Sequence, residues 1–220
     1  MFAKLPPVTR ALLIANVGVF LLQWLAESSR LGGVLEWLML WPLGSGADSG
    51  VPGFMPWQVL TYGFMHNDPM HLIFNMLALV MFGAQVEHHW GQRRFLGYYL
   101  TCVAGAAVCQ LLVGAATMSM GGEAYPTVGA SGGVFGLLLA YGMLFPHQRV
   151  MLLIPPVPMK ARTLVIVYGA VELLLGVTGT APGVAHFAHL GGMLFGWLLI
   201  RQWRRRPPSR GGRPPLRAVH

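Results

Sequence analysis

Six apolar stretches recur along the chain, at residues 11–26, 70–86, 95–118, 129–145, 163–178 and 184–200, each bounded by short polar breaks. That recurrence restricts the fold more than any other feature. Spanning a bilayer as a helix takes ~20 apolar residues. Several of these stretches are a little shorter, so flanking residues supply the remainder or the membrane thins around them. Composition points the same way. Only 10% of the 220 residues are charged and 55% are hydrophobic, whereas soluble domains carry roughly 25% charged residues. Too few polar side chains remain to cover a surface that faces water. The predicted fold is therefore all-α, a polytopic membrane protein of six transmembrane helices. The 29 glycines have a use there, because small residues let helix backbones approach closely in lipid.

The net charge of +8 invites a nucleic-acid partner, but its placement argues against one. Seven of the fifteen basic residues lie in the last twenty, directly after the sixth stretch, where anionic headgroups on the cytoplasmic face would meet them. With six spans, Lys4, Arg10, Arg93, Arg94, Arg149, Lys160, Arg162 and the seven tail arginines share one side, and Arg30 stands alone on the other. This asymmetry places both termini in the cytoplasm. Lys4 and Arg10 before the first stretch also suit a signal peptide, but no small-x-small site follows it, which favours a retained helix. Residues 1–204 read as the membrane domain. Residues 205–220, rich in Pro, Gly and Arg, read as a disordered cytoplasmic tail.

Between the first two stretches lie about forty residues holding Trp37, Trp41 and Trp57. Tryptophan favours the lipid–water boundary, so a partly helical loop in the outer interface is expected. The Pro155-Pro156-Val157-Pro158 run breaks any helix between the fourth and fifth stretches. Cys102 and Cys109 share one apolar run and read as small core residues rather than a disulfide or metal pair.

Three clusters carry chemistry. The fourth stretch opens Gly129-Ala130-Ser131-Gly132-Gly133-Val134-Phe135-Gly136. A serine at a helix start sits among unpaired backbone N–H groups that can stabilise an oxyanion. The same octapeptide also reads as a packing face, since Gly132 and Gly136 form a GxxxG. The sixth stretch holds His186 and His189, with Gly192 and Gly196 at +3 and +7 from His189. An ionisable group inside a span is costly and points to function, and a serine beside a histidine is the minimum for an activated nucleophile. The second stretch begins near His66, His71 and Asn75. His71 and Asn75 share a helix face. They would serve as uncharged oxyanion donors or merely as a polar pair stapling two helices.

Taken together, the GxSG around Ser131, the HxxGxxxG from His189 and the HxxxxHxxxN of His66, His71 and Asn75 resemble the rhomboid family of intramembrane serine proteases, in its bacterial six-helix form. The motifs occur in the family's order and on the second, fourth and sixth stretches. The resemblance makes Ser131 the nucleophile and His189 the general base of a dyad. It makes His71, Asn75 and the Ser131 N–H the oxyanion donors, with His66 in support. Phe135 stands where the family commonly has a tyrosine stacked on the catalytic imidazole. Gly129, Gly132, Gly136, Gly192 and Gly196 become close-packing positions. The family's loop Trp-Arg appears as Trp57-Gln58, which leaves the loop's local contacts open. Glu172 is the only acid well inside an apolar stretch. It falls on the family's substrate-gate helix and is left out of the site.

The implied activity is cleavage of transmembrane protein substrates near the outer face of a bacterial plasma membrane, with no cofactor and no metal. An inactive rhomboid-like client-binding protein is the alternative, but such relatives usually lack the serine or the histidine. A metal enzyme would need His66, His71, His186 and His189 to converge, and no HExxH is present. A transporter lacks a coupling carboxylate other than Glu172.

Overall fold

The computed structural model describes residues 5–27, 32–46, 51–151, 157–180 and 184–205. The residues past Arg205 in the expected tail lie outside the described residues, as do Lys4, Arg30 and the Pro155-Pro156 pair. The longer helices are α1 (Pro7–Glu27), α2 (Pro69–Trp90), α3 (Gln92–Ser119), α4 (Ser131–Leu144), α5 (Ala161–Thr178) and α6 (His186–Arg205). Each overlies one of the six apolar stretches. By length and composition α1, α2, α3 and α5 suffice to cross a membrane. Helix α4 is apolar but only 14 residues long, and the 20-residue α6 ends among Arg201, Arg204 and Arg205.

Local chemistry sets several of the ends. Asp68 caps α2, its carboxylate accepting from the His71 N–H at 2.8 Å, and Pro69 occupies the first helical position, where its missing N–H costs nothing. The first turn of α1 is capped from another helix. Glu87 of α2 accepts from the backbone N–H groups of Val8 (2.9 Å) and Thr9 (2.7 Å) and from the Thr9 hydroxyl (2.7 Å). A buried carboxylate thus meets the unpaired donors and the positive end of the helix dipole. Within α2, Leu79–Gly83 forms a π-turn, a feature often found near functional sites.

Helices α3, α4 and α6 form the centre. Phe95, Tyr98, Tyr99, Cys102, Leu137 and Ala140 are fully buried there. Cys102 and Cys109 are both free thiols. The outward faces of α1 (Ile14, Leu22, Trp24) and α5 (Ile166, Leu173, Leu174) are exposed and apolar, as lipid-facing surfaces must be.

Two features go beyond the expectation. Between α4 and α5, β1 (Arg149–Met151) pairs antiparallel with β2 (Pro158–Lys160), so the fold is not purely helical. Helix α4 ends at Leu144 and α5 begins at Ala161, and between them the two short strands pair, with Pro158 tolerated on an edge strand. The other feature is Gln58, whose loop contacts the sequence left open and the structure supplies. It is completely buried; its Oε1 accepts from the Trp41 N–H (3.1 Å) while its Nε2 donates to the carbonyls of Trp37 (3.2 Å) and Gly53 (3.1 Å). Short helical turns at Gly32–Leu35 and Gln58–Thr61 complete the loop. A two-way bridge between Leu40 and Thr127 (3.0 and 2.9 Å) ties it to the segment leading into α4.

Candidate active site

Ser131 is the first residue of α4, and His189 lies in the first turn of α6. Their helices meet backbone against backbone: any Cβ on Gly192 would collide with the Gly132 carbonyl oxygen. Further along the contact, Gly136 faces the Cys102 thiol and Gly196 the Tyr98 hydroxyl. Tyr98 in turn donates to the Gly136 carbonyl at 2.8 Å. This close approach leaves Ser131 Oγ 2.8 Å from His189 Nε2. One turn on, the Phe135 ring lies flat against the His189 imidazole, with centroids 4.3 Å apart and planes within 5°.

The other face of the imidazole's surroundings holds what the sequence reading omitted. Glu172 Oε2, from α5, lies 2.9 Å from His189 Nδ1 and 2.7 Å from His186 Nδ1. Glu172 is 9% exposed. An ionised carboxylate only accepts, so each Nδ1 carries a proton, and the His189 Nε2 lone pair is left facing the Ser131 hydroxyl. The sequence reading left Glu172 out of the site, and the structure brings its carboxylate against both histidines of α6. The omitted signal was physical: an acid inside an apolar helix needs a polar partner, and two histidines three apart on α6 were available. These three ligand atoms lie within 4.8 Å of one another, a spacing and donor set that would also suit a metal ion.

Helix α2 supplies the opposite wall. Gly129 has φ +128°, and a Cβ there would lie 2.8 Å from both Cε1 and Nε2 of His71. Backbone conformation and ring contact therefore both demand glycine at this position. Asn75 is buried and spends one amide N–H on the His71 carbonyl (3.0 Å), which leaves a second N–H for a ligand. His66 stands behind His71, ring edge to ring face at 5.0 Å. It does not line the cavity, and neither ring nitrogen has a hydrogen-bond partner among the described residues. Burial, reinforced by His71, pushes its pKa down to about 4. Its backbone is gripped from α1, where the Gln23 amide accepts from the His66 N–H (3.0 Å) and donates to its carbonyl (3.2 Å).

Ser131, His189, His71, Asn75 and Phe135 line one cavity of about 660 Å³. It runs between α2 and α5, past Phe74 and Met81 on one side and Leu164 and Tyr168 on the other. A nucleophile hydrogen-bonded to a base, beside uncharged donors in a space of this size, is equipped for acyl transfer.

Residues 53–206 match the family model described as Rhomboid domain. The chain is 31% identical to "Rhomboid protein 1, mitochondrial" of Saccharomyces cerevisiae, over 71% of this chain and 46% of the relative. It is 34% identical to "RHOMBOID-like protein 4" of Arabidopsis thaliana, over 68% of this chain and 34% of the relative. To "Rhomboid protease GluP" of Bacillus subtilis it is 30% identical, over 64% of this chain and 25% of the relative. The chain thus spans a quarter to a half of the length of these relatives.

Proposed function

The chain belongs to the rhomboid family of membrane proteins, and from that premise we propose that it is an intramembrane serine endopeptidase cutting transmembrane segments of other proteins near the outer side of the bilayer. The observation that carries this reading is the 2.8 Å contact between Ser131 Oγ and His189 Nε2 at the wall of an accessible cavity. Ser131 attacks the scissile carbonyl while His189 Nε2 takes its proton. The tetrahedral oxyanion is met by the Ser131 backbone N–H at the start of α4, the His71 ring and the free Asn75 N–H. His189 then returns the proton to the leaving amine. Water hydrolyses the acyl-enzyme by the same path in reverse. Phe135 keeps the imidazole plane in register through both stages, and His66 supports the His71 ring from behind.

In the proposed topology all six helices are spans, both termini are cytoplasmic, the loop before α2 rests in the outer interface, and residues 205–220 form a tail on the inner side. A bacterial plasma membrane is the proposed host. Depth follows from helix length. A 14-residue helix is about 21 Å long, whereas the hydrocarbon core is ~30 Å thick. With its inner end at the inner boundary, α4 places Ser131 several ångströms below the outer surface, and the cavity becomes the route for water.

The test is to reconstitute the protein in liposomes with a model transmembrane substrate, with and without Ser131→Ala. Cleavage by the wild type alone supports the proposal. Substrate binding without cleavage by either protein would favour the inactive, client-binding reading.

A further inference from the structure

Among the described residues, Glu172 is the acid whose carboxylate reaches the imidazole of His189, at a centre that the family resemblance describes as a dyad. It comes from α5, which packs against both α4 and α6. Its Oε2 is within hydrogen-bond distance of His189 Nδ1 (2.9 Å), the ring nitrogen opposite the one that faces Ser131. Three consequences follow from chemistry alone. A carboxylate accepting at Nδ1 selects the tautomer whose Nε2 is bare, the only neutral form able to take the serine proton. It also fixes which way round the ring lies, a choice Phe135 cannot make, because a stacked ring holds the imidazole plane but accepts equally the orientation reached by a 180° flip about χ2. Finally, when Nε2 accepts the proton, the new imidazolium sits beside a negative charge in a region of low dielectric, where such a pairing counts for more than in water.

We propose that Glu172 is a positioning residue for the base, so that Ser131, His189 and Glu172 work as a carboxylate-assisted triad rather than a dyad. This inference rests on the reading of Ser131 and His189 as nucleophile and base. The proton moves from Ser131 Oγ to His189 Nε2 and on to the leaving amine. Glu172 stays ionised throughout and transfers no proton. His186 also places its Nδ1 at the same carboxylate oxygen (2.7 Å), which holds that oxygen in place by a second donor from the same helix. Because Glu172 rides on α5, which also lines the cavity through Leu164 and Tyr168, the strength of the base is tied to where α5 stands.

A rival role for Glu172 is a strap that merely ties α5 to α6. The two roles separate experimentally. Full-length protein in liposomes is assayed for kcat and KM on a model transmembrane substrate. In parallel, the rate at which a small fluorophosphonate labels Ser131 is measured, since this probe does not depend on α5 admitting a helix. Glu172→Gln keeps the side-chain shape and removes the charge. The triad requires kcat to fall by about 10- to 10³-fold with KM little changed: the same acid-to-amide change costs ~10⁴ in a Ser-His-Asp protease, and here the Phe135 stack still holds the imidazole plane. Labelling must slow in parallel. Unchanged labelling, or faster turnover as α5 loosens, would leave only the strap and overturn the proposal. Should Glu172→Gln fail to fold, ¹⁵N spectra of histidine-labelled wild-type protein, with His189 assigned by its loss in His189→Gln, decide the matter. Protonated Nδ1 with bare Nε2 is required, and the opposite tautomer refutes it. Ser131→Ala serves as the control for both rates. A wild type as inert as Ser131→Ala in both assays defeats the nucleophile itself, whereas an active wild type matched by Glu172→Gln defeats only the triad.

Discussion

Two of the helix contacts made by α6 are built on opposite plans. Against α4 it presents Gly192 to the Gly132 carbonyl, with no side chain between the backbones. Against α5 the same helix presents Met193, whose methyl would lie 3.5 Å from a Cβ on Gly169, and His186 and His189, both linked to the Glu172 carboxylate. A backbone-to-backbone contact has a single distance and cannot adjust. Methionine, with several rotatable bonds, fills gaps of changing shape. The pair that must hold a 2.8 Å contact is carried on the rigid side, and the wall that must let a peptide pass is carried on the adaptable side. The burial pattern agrees: Leu137 and Ala140 on α4 are fully buried, whereas Val167, Val171 and Leu174 on α5 are exposed.

The largest expected effect comes from the polar pair itself. Ser131→Ala and His189→Ala should each reduce substrate cleavage to background while leaving the melting temperature within a few degrees of wild type. If either variant unfolded, the polar pair rather than the glycines would be holding α4 to α6, and the contrast would collapse. Next come the glycines. Gly192→Ala forces the rigid contact apart, and overpacking of this kind costs about 1–3 kcal/mol. A misplacement near 1 Å costs roughly 10² in rate, so kcat should fall by about that factor. Gly169→Ala, on the adaptable contact, should change kcat by less than about twofold. Equal effects at the two glycines, in the same liposome assay, would erase the distinction.

Smaller effects are expected on the α2 wall and at the second histidine. Asn75→Ala removes one of the three proposed oxyanion donors. Single donors are worth ~10²–10³ in serine proteases, and with the load shared the loss should be near the lower end or below it, in kcat rather than KM. A raised KM with kcat intact would make Asn75 a packing or binding residue. His186→Ala leaves His189 its carboxylate and should retain activity within about tenfold. A dead His186→Ala beside a live His189→Ala would exchange their roles. The smallest effect is on stability alone. His66 stays neutral in the fold down to about pH 4, whereas in the unfolded chain it takes up a proton near 6.5. Its contribution is therefore complete above pH 6.5 and is lost as the pH falls through 4. Melting temperatures of wild type and His66→Phe, compared between pH 7 and pH 4, should show the steeper decline in the wild type.

The helices were legible because in lipid the apolar run and the helix are nearly the same object. The third stretch, 95–118, lies within α3 at 92–119. The sixth, 184–200, stops short of α6 because Arg201, Arg204 and Arg205 end the apolarity without ending the helix, being good helix formers placed favourably at its C-terminus. At the site, glycine spacing and the three motifs carried Ser131, His189, His71 and Asn75 to one cavity. Glu172 was hidden for a different reason. Its partners lie 14 and 17 residues away on another helix, and only the crossing of α5 and α6 decides which polar groups meet. The β-hairpin and the contacts of Gln58 likewise depend on neighbours that no local pattern encodes.

The π-turn in α2 works as a phase shift. At about 100° per residue, the twelve steps from Asn75 to Glu87 would leave those two side chains about 120° apart around an unbroken helix. The one extra residue accommodated at Leu79–Gly83 subtracts a step and brings them to within about 20°. Both are in fact buried, Asn75 at the cavity and Glu87 beneath the start of α1. One helix thereby carries Asn75 toward the cavity from its first half and Glu87 toward the N-terminal helix from its second. A deletion of one residue between 79 and 83 would put the helix back in step with itself and force a choice between the two.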